Sequence, residues 1–502
     1  MILKIDGDIS RYYVETLCLV FFPGSTFGEN EESGFGIPEV YVNVKHEDDG
    51  VFAYASIKLN DKTSEATEFL SSGDEIHIAS RESVAVGRAM FSAGKDLLGH
   101  TPPWGILTGV RPAKVAGRLL YDGKGVIKSK RILRDEYFVN PQKAALAVSV
   151  AQNEIKLLRG LDEKSCSLYI SIPFCPSRCS YCSFVSYTTP RLLSMIDEYL
   201  DALIYDIDDT IKTIYSTGFN ITTIYIGGGT PTTLNSKQLY RLLSHLSSLI
   251  DVSSLLEFTL EAGRPDTITE EKLAIAREFG VTRISVNPQT LSDDILREIG
   301  RRHTREDFYR AFEIAKNSGI RDINVDLIAG LPGDDFKNFS STLDEIIALR
   351  PTNITVHTFC VKKASDALRE NAEIYSIGGG DAAKNVSYSQ LNTKLAGYKP
   401  YYMYRQKNTV GNLENVGYSL EGHEGLYNVY MMEEVQTIFA VGAGAVTKLV
   451  DYSPSPDTKT RILRIFKPKY PYEYLREYEE RRNGTSNKKS LYESVNEFFL
   501  NS

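Results

Sequence analysis

The stretch from residue 167 to residue 187, SLYISIPFCPSRCSYCSFVSY, constrains this chain more than any other part of it. It places Cys175, Cys179 and Cys182 in the spacing C-x3-C-x2-C, directly after the apolar, β-prone run Leu168–Phe174. That run predicts a strand, and the cysteines predict a loop at its carboxyl end. Because thiolates are soft ligands that bind zinc and iron–sulfur clusters, the loop is predicted to be a metal site.

Three cysteines on one short loop leave a four-coordinate metal or cluster one protein ligand short. In a [4Fe–4S] cluster this gives one iron an open position, which a substrate or cofactor can bind through nitrogen and oxygen. The alternatives are a structural zinc and unrelated buried thiols. Zinc is disfavoured because the second, distant C-x2-C pair of a zinc ribbon is missing.

The cysteine count, the N-terminal sequence and the net charge limit the classes of protein to which this chain can belong. Six cysteines in 502 residues are too few for a disulfide framework, and the N-terminus MILKIDGDIS has no apolar signal core. No run approaches the ~18–20 apolar residues of a membrane span. We therefore expect a cytoplasmic protein of two or three domains with no membrane span. The net charge of −8 argues against bulk electrostatic binding of nucleic acid, but it is compatible with a local basic pocket.

A repeated strand–helix pattern begins at Leu168 and continues to about residue 360. The candidate strands are Leu168–Phe174, Thr222–Gly227, Glu257–Ala262, Arg283–Asn287, Asp322–Ile328 and Asn353–Phe359. Six strands that alternate with helices predict an α/β fold with a parallel sheet curved into a barrel or part of one. In such barrels the chemistry lies at the carboxyl ends of the strands.

The chain on either side lacks this pattern. Residues 1–160 are predicted to form an extra α+β domain of unknown role, with strands in YVETLCLVFFPG and VYVNVKHEDDGVFAYASIKL and a helix near Arg81–Leu98. Residues 161–375 are assigned to the barrel, and residues 376–502 to a small C-terminal domain. The boundaries follow the change in pattern.

The segment TPPWGILTGVRPAK contains the single tryptophan of the chain, Trp104. Its density of proline and glycine predicts a packed structural corner. A docking or substrate-facing loop centred on Arg111 and Lys114 is the alternative.

The cysteine loop, with Tyr181 before its last cysteine, resembles that of the radical S-adenosylmethionine (SAM) enzymes. More narrowly, YISIPFCPSRCSYCSF and the chain from about 165 to 450 resemble the oxygen-independent coproporphyrinogen III oxidase family. The N-terminal region and the strings PYYMYRQKNTVGNLENVGY and FAVGAGAVTK resemble its HemZ-type branch. The resemblance implies a partial (β/α)6 barrel and a [4Fe–4S] cluster on Cys175, Cys179 and Cys182. The cluster would reduce SAM to methionine and a 5′-deoxyadenosyl radical.

The resemblance also implies SAM contacts at successive strand ends, including the turn GGGTPT after the second strand. These contacts are Tyr169, Tyr181, Gly228, Gly229, Thr230, Glu261, Gln289, Arg301 and Asp326. Arg301 is expected to bind the methionine carboxylate because a guanidinium can bind both oxygens, with Arg302 as the alternative. Without the resemblance, the glycine run would be read as a turn. Cys360 is expected to be a packed thiol, not a cluster ligand.

The family's main reaction implies oxidative decarboxylation of coproporphyrinogen III, supported by an electron donor such as flavodoxin or ferredoxin. Lys362, Lys363, Arg405 and Lys407 are candidate contacts for the substrate carboxylates, with ordinary surface charge as the alternative. Phe184 stands where established oxidases of the family carry a fourth cysteine, and it matches the haem-chaperone branch instead. Haem chaperoning, or radical chemistry on another tetrapyrrole, therefore remains an open alternative.

Overall fold

A computed structural model describes residues 1–28, 34–109, 111–182, 184, 186–360, 380–406, 409–452 and 460–500. The N-terminal part contains a four-stranded sheet in which β1 and β2 are parallel and the remaining neighbours are antiparallel. Its strands are β1 (Ile2–Asp6), β2 (Glu39–Glu47), β3 (Gly50–Leu59) and β4 (Lys62–Ser71). The strands predicted in VYVNVKHEDDGVFAYASIKL are confirmed as β2 and β3, which pair antiparallel.

The strand predicted in YVETLCLVFFPG is wrong, because this segment lies in helix α1 (Arg11–Phe21). Val14, Leu17, Cys18 and Phe21 are buried, at the spacing i, i+3, i+4, i+7 that places side chains on one face of a helix. The helical period therefore overrides the β-prone composition. Helix α2 (Arg81–Leu98) agrees with the prediction, begins after the Ser80 cap and ends at Gly99, where φ is 63°.

Three further helices connect this part to the central sheet: α3 (Pro112–Tyr121), α4 (Gly125–Asp135) and α5 (Pro141–Leu157). The tryptophan segment before them is a packed corner. Trp104 is buried and its indole N–H donates to the Glu414 carboxylate at 2.9 Å, while Lys143 on α5 contacts the same carboxylate at 2.6 Å. Arg111 donates to Glu434 at 2.8 Å. The N-terminal part is thus tied to the C-terminal part by buried polar contacts.

The central sheet has eleven strands within the described residues. All six predicted strands are present as neighbouring parallel strands in chain order. They are β5 (Ser165–Ile172), β6 (Asn220–Gly228), β7 (Glu257–Glu261), β8 (Arg283–Ser285), β9 (Asp322–Ala329) and β10 (Asn353–Thr358). The predicted α/β architecture is confirmed.

The C-terminal part extends this sheet at both edges. β13 is parallel to β5 and is followed by antiparallel β14 and β15, whereas β12 and β11 are antiparallel additions beside β10. These strands are β11 (Lys399–Arg405), β12 (Glu414–Ser419), β13 (Thr437–Val441), β14 (Val446–Asp451) and β15 (Arg461–Phe466). The predicted boundary at residues 375 and 376 lies outside the described residues.

Helices flank the sheet along its length. They are α6 (Pro190–Leu193), α7 (Ile196–Ser216), α8 (Ser236–Leu249), α9 (Glu270–Glu278), α10 (Asp293–Glu298), α11 (Arg305–Asn317), α12 (Phe336–Leu349), α13 (Gly380–Leu395), α14 (Leu426–Glu433), α15 (Pro471–Arg482) and α16 (Leu491–Leu500). None of the helices in the described ranges is long and apolar enough to cross a membrane.

Buried charges close the amino ends of the parallel strands. The Arg283 guanidinium contacts the Glu257 and Asp322 carboxylates, each at 3.3 Å. His423 Nδ1 lies 2.6 Å from Asp322, and the backbone N–H of Leu426 donates to Glu257 at 2.7 Å. This end of the sheet is therefore packed with paired groups, which leaves the carboxyl ends for a ligand.

Candidate functional site

A cavity of about 230 Å³ lies at the carboxyl ends of the parallel strands. Every predicted cluster ligand and SAM contact except Tyr169 lines it. These lining residues are Cys175, Cys179, Tyr181, Cys182, Gly228, Gly229, Thr230, Glu261, Gln289, Arg301 and Asp326. The fold therefore brings together residues that are up to 151 positions apart in the sequence, from 175 to 326.

The cysteine loop is held on both sides by backbone hydrogen bonds. The N–H of Cys175 donates to Tyr187 at 3.1 Å, and the N–H of Ser180 donates to Ile299 at 3.1 Å. Arg264 donates to the Ser177 hydroxyl at 2.8 Å from inside the cavity wall. The loop is thus fixed against the elements that carry the other site residues.

All three thiols of the loop are free of disulfides, and Cys175 and Cys179 are buried. Burial raises the pKa of Cys175 to about 11 and also raises that of Cys182. These thiols are protonated at neutral pH unless a metal compensates the thiolate charge.

Among the described residues, no three His, Cys, Asp or Glu side chains converge closely enough to hold a single metal ion. A [4Fe–4S] cluster does not require that convergence, because each thiolate binds a different iron. Three free thiols on one fixed loop, all facing one cavity, are a donor set that fits such a cluster with one iron left open.

The glycine turn after β6 packs directly against the cysteine loop. The N–H of Gly229 donates to Ile172 at 2.8 Å, and Gly228 has a φ of 108° that side chains disfavour. A Cβ on Gly229 would lie 2.6 Å from the carbonyl oxygen of Phe174 and 3.0 Å from Cys175 Sγ. Glycine is required here because two backbone segments and a predicted ligand meet at this point.

Arg301 and its neighbour Arg302 are separated by the structure. Arg301 is buried and lines the cavity, where it donates to the backbone oxygens of Gly263 at 3.0 Å and Asn287 at 2.8 Å. It also donates to the Tyr181 hydroxyl at 3.2 Å. Arg302 is exposed and does not line this cavity. The geometry therefore favours Arg301 as the cation that faces a bound ligand.

Gln289 has a left-handed backbone conformation, with a φ of 70°. Its N–H donates to the Asp326 backbone oxygen at 3.1 Å, and its own carbonyl accepts from Ile328 at 3.0 Å. These bonds to the neighbouring strand hold the unusual conformation. The predicted strand extended to Asn287, but β8 ends at Ser285. The irregular backbone beyond Ser285 carries the side chains of Asn287 and Gln289 to the cavity.

Several buried polar atoms in the cavity wall have no hydrogen-bond partner among the described residues. They are Gln289 Oε1, Arg301 Nε and Arg264 Nη1. A buried polar atom without a partner costs about 1–3 kcal/mol, so such atoms mark the place of a missing ligand group. One acceptor and two guanidinium donors match the ammonium and carboxylate groups of an amino acid, such as the methionine part of SAM.

A pair of carboxylates forms the opposite wall. Burial raises the pKa of Glu261 to about 7, although its hydrogen bond from the Tyr225 hydroxyl acts in the opposite direction. Asp326 accepts hydrogen bonds from Asn287 at 2.8 Å and from Asn324 at 2.7 Å. Burial alone would raise the pKa of Asp326, but the contact with His357 and the amide donors hold it below its usual value.

Tyr169 is not among the residues that line the cavity. Its ring stacks on Tyr225 at 6.1 Å and on Tyr427 at 6.3 Å, between the sheet and α14. Tyr225 in turn reaches Glu261. Tyr169 therefore approaches the cavity only through Tyr225 in this arrangement.

Some residues that line the cavity were not predicted from the sequence. Arg264, Asn287, Tyr404 and Asn415 line the cavity without having been singled out. Arg264 could have been found, since it follows Glu261 by three residues at the same strand end. Tyr404 and Asn415 come from the two antiparallel strands beside β10, and no motif spacing links them to the cysteine loop.

Arg405 does not face the cavity. It is buried and donates to the Leu107 backbone oxygen at 2.5 Å and to Asn412 at 2.6 Å, which makes it part of the tryptophan corner. The candidates Lys362, Lys363 and Lys407 lie outside the described residues.

Comparison with known proteins agrees with this arrangement. The family model of the radical SAM superfamily matches residues 169–346. The oxygen-independent coproporphyrinogen-III oxidase-like protein HemZ of Bacillus subtilis is 39% identical over 387 residues, which is 76% of either chain. The chain belongs to the radical SAM superfamily and, within it, to the oxygen-independent coproporphyrinogen III oxidase family. The cofactors of radical SAM proteins, and of this one, are a [4Fe–4S] cluster and SAM.

Other similar proteins are named heme chaperones instead of coproporphyrinogen oxidases. The heme chaperone HemW of Bacillus subtilis is 40% identical over 39% of this chain and 51% of its own. HemW of Escherichia coli is 28% identical over 67% of this chain and 81% of its own. The structure of coproporphyrinogen III oxidase (HemN) from Escherichia coli superposes with a TM-score of 0.51 at 22% identity, covering 66% of this chain and 72% of that one. This likeness shows the radical SAM fold.

Proposed function

We propose that this radical SAM protein is an oxidoreductase that converts coproporphyrinogen III to protoporphyrinogen IX without oxygen, in porphyrin and haem biosynthesis. The observation that carries the proposal is the convergence of the cysteine loop and the polar strand ends on one cavity. It occurs in a chain that is 39% identical to a coproporphyrinogen oxidase-like protein.

Cys175, Cys179 and Cys182 are proposed to hold the cluster, with SAM at its open iron. When bound, the cluster and SAM together supply a one-electron reduction and a radical that abstracts hydrogen from the substrate. Arg301 is proposed to bind the methionine carboxylate of SAM, and Gln289 Oε1 its ammonium group. Arg301 Nε and Gln289 Oε1 have no hydrogen-bond partner among the described residues.

The polar wall is proposed to bind the rest of SAM and to orient it. Asp326, which stays ionised, suits a hydroxyl or ammonium donor. Glu261 can either accept or donate, because its pKa of about 7 allows both protonation states near neutral pH. Both carboxylates are half-buried in the cavity wall.

The tetrapyrrole is proposed to enter beside Phe184. This side chain is 69% exposed at the edge of the cavity, where an apolar ring can stack on a flat macrocycle. His357 and Tyr404 lie behind it at 3.3 Å from each other and also line the cavity. They are proposed to contact the reacting propionate through hydrogen bonds.

The test is anaerobic incubation of the cluster-loaded protein with SAM, a reductant and coproporphyrinogen III, followed by product mass and CO2 analysis. We expect protoporphyrinogen IX with release of two CO2 molecules per substrate, and 5′-deoxyadenosine as coproduct. Cleavage of SAM without loss of CO2 would contradict the proposed reaction.

A haem chaperone is the second candidate, because Phe184 stands in place of a fourth cysteine and several of the similar proteins are named heme chaperones. It predicts a tight haem complex that transfers haem to an apo-haemoprotein and releases no CO2. The variant Phe184→Ala should weaken that complex, whereas Phe466→Ala, an exposed phenylalanine that does not line the cavity, should not. Absence of haem binding under anaerobic conditions would remove this candidate.

A further inference from the structure

A second cleft, of about 600 Å³, lies on the outer side of the cysteine loop. It is lined by Pro176, Ser177, Arg178, Thr188, Arg297, Gly300, Arg301 and Arg302. Four of these residues are arginines, and none of the described lining residues is acidic. This concentration of positive charge is local, because the whole chain has a net charge of −8.

Two of the four arginines are available to a partner. Arg178 and Arg302 are exposed, and neither has a hydrogen-bond or ion-pair partner in the described parts of the chain. Arg297 is 75% exposed at its side chain but pairs with Asp294, and Arg301 is buried in the inner cavity. Unpaired, exposed guanidinium groups favour the approach of an acidic surface.

Only the cysteine loop separates this cleft from the cofactor cavity. Ser177 and Arg301 line both. Arg178 directly precedes Cys179 in the cysteine loop. The cysteine loop packs tightly against the loop that contains Gly300, since a Cβ on Gly300 would lie 2.8 Å from the Arg178 carbonyl oxygen. The cleft is therefore a surface where a partner can approach the thiolates through a single layer of chain.

We propose that this arginine cleft is the docking surface for a small acidic protein that carries single electrons. The inference rests on the proposed cluster ligands but not on the identity of the tetrapyrrole. With the cluster bound to Cys175, Cys179 and Cys182, the reduced carrier would give up one electron and the cluster would gain it, with no bond made or broken and no proton transferred. Phe184 and Tyr404 line the inner cavity and not the cleft, so carrier and tetrapyrrole use different surfaces.

The experiment measures cluster reduction in the reconstituted protein, without tetrapyrrole, by anaerobic stopped-flow absorbance and by the electron paramagnetic resonance signal of the reduced cluster. Reduced flavodoxin, an acidic carrier, is the probe, and dithionite is the small-molecule comparison. The test variant is Arg178→Glu/Arg302→Glu. The matched control is Arg310→Glu/Arg476→Glu, which changes the net charge equally at exposed arginines away from the cleft.

We expect the test variant to reduce the second-order rate constant with flavodoxin about tenfold at low salt and to abolish most of its salt dependence. Reduction by dithionite should stay within about twofold, as should both rates in the control. Arg302→Glu alone, which lies outside the cysteine loop, should give a smaller decrease of the same kind. Equal effects in test and control variants would overturn the proposal, and so would an equal loss of reduction by dithionite.

Discussion

Burial sets the chemistry of individual side chains around the cavity. The thiol of Cys175 is held protonated by its surroundings, with a pKa of about 11, so that a bound metal must displace its proton. Cys360 also lines the cavity but follows β10, away from the cysteine loop. Substitution of a cysteine in the loop and substitution of Cys360 are therefore expected to have different effects on the cluster.

Replacement of Cys175, Cys179 or Cys182 by alanine should abolish the brown [4Fe–4S] absorbance and all cleavage of SAM. The remaining two thiolates cannot hold a cluster that also needs an open iron. Iron and sulfide analysis with the absorbance spectrum measures the result. Cys360→Ala is the control and should keep a full cluster. If Cys182→Ala also kept one, the ligand assignment would be wrong.

Gly229→Ala should keep the protein folded but weaken SAM binding about tenfold or more. The added Cβ would meet the Phe174 carbonyl oxygen and Cys175 Sγ, so the turn must move away from the cysteine loop. Equilibrium binding of SAM to the cluster-loaded protein measures the change. Gly109→Ala, at a glycine with open space around its Cβ position, is the control. Unchanged affinity in Gly229→Ala would remove the turn from the SAM site.

The raised pKa of Glu261 predicts a pH-dependent effect on stability. The carboxyl titrates at about 7 in the folded protein and at its ordinary value of 4.5 when unfolded, so the folded state retains a proton that the unfolded state loses. Stability from this group is therefore lost as the pH rises from about 4.5 to about 7. Glu261→Gln should become more stable relative to the wild type between pH 5.5 and pH 8.

Urea unfolding of the cofactor-free protein at both pH values measures this difference. Asp326→Asn is the opposite case, because the lowered pKa of Asp326 stabilises the folded protein above its ordinary titration range. A stability difference between Glu261→Gln and wild type that is the same at pH 5.5 and pH 8 would show that burial does not shift the Glu261 carboxyl.

At the scale of elements, the strands that build the cavity could be predicted and those that enclose it could not. β5 to β10 follow a regular strand–helix alternation, and the polar residue at each strand end stands out from an apolar run. The strand predicted for residues 13–24 was wrong because the β-prone composition of this segment hid the helical spacing of Val14, Leu17 and Phe21. The antiparallel edge strands β11 and β12 pair with β10 through register that no local pattern specifies.

Glu414 on β12 forms buried contacts between the N-terminal part and the sheet. Its carboxylate accepts from Trp104 and from the ammonium group of Lys143, and all three are buried. Glu414→Gln would leave the Lys143 charge without its partner, which costs about 3–5 kcal/mol in buried ion pairs. We expect the free energy of unfolding in urea to fall by about that amount.

Glu421→Gln is the matched control, because Glu421 forms an exposed ion pair with Lys399 and should leave the unfolding midpoint almost unaffected. If the two variants were equally stable, the buried contact would not join the two parts energetically. Independent unfolding of residues 1–160 would lead to the same conclusion and would support the predicted domain boundary.

At the scale of the molecule, the chain places its chemistry at one end of the sheet and its paired charges at the other. The sequence indicated this polarity because the carboxyl ends of parallel strands meet at one edge. The choice of Arg301 over Arg302 rests on the family resemblance, because no local pattern separates two adjacent arginines that differ only in the burial that the fold imposes. The sequence could not indicate the arginine cleft, which combines the cysteine loop with residues 297–302.

Three thiolates on the cysteine loop are proposed to leave one iron of the cluster open, and SAM is proposed to bind that iron in this cavity. Electron–nuclear double resonance of the reduced, cluster-loaded protein with SAM labelled at the methionine amino nitrogen and carboxylate oxygen tests this proposal most directly. We predict strong hyperfine coupling of both labels to the cluster in the wild type and in Cys360→Ala. A fully loaded cluster that binds SAM without coupling to either label would contradict the account.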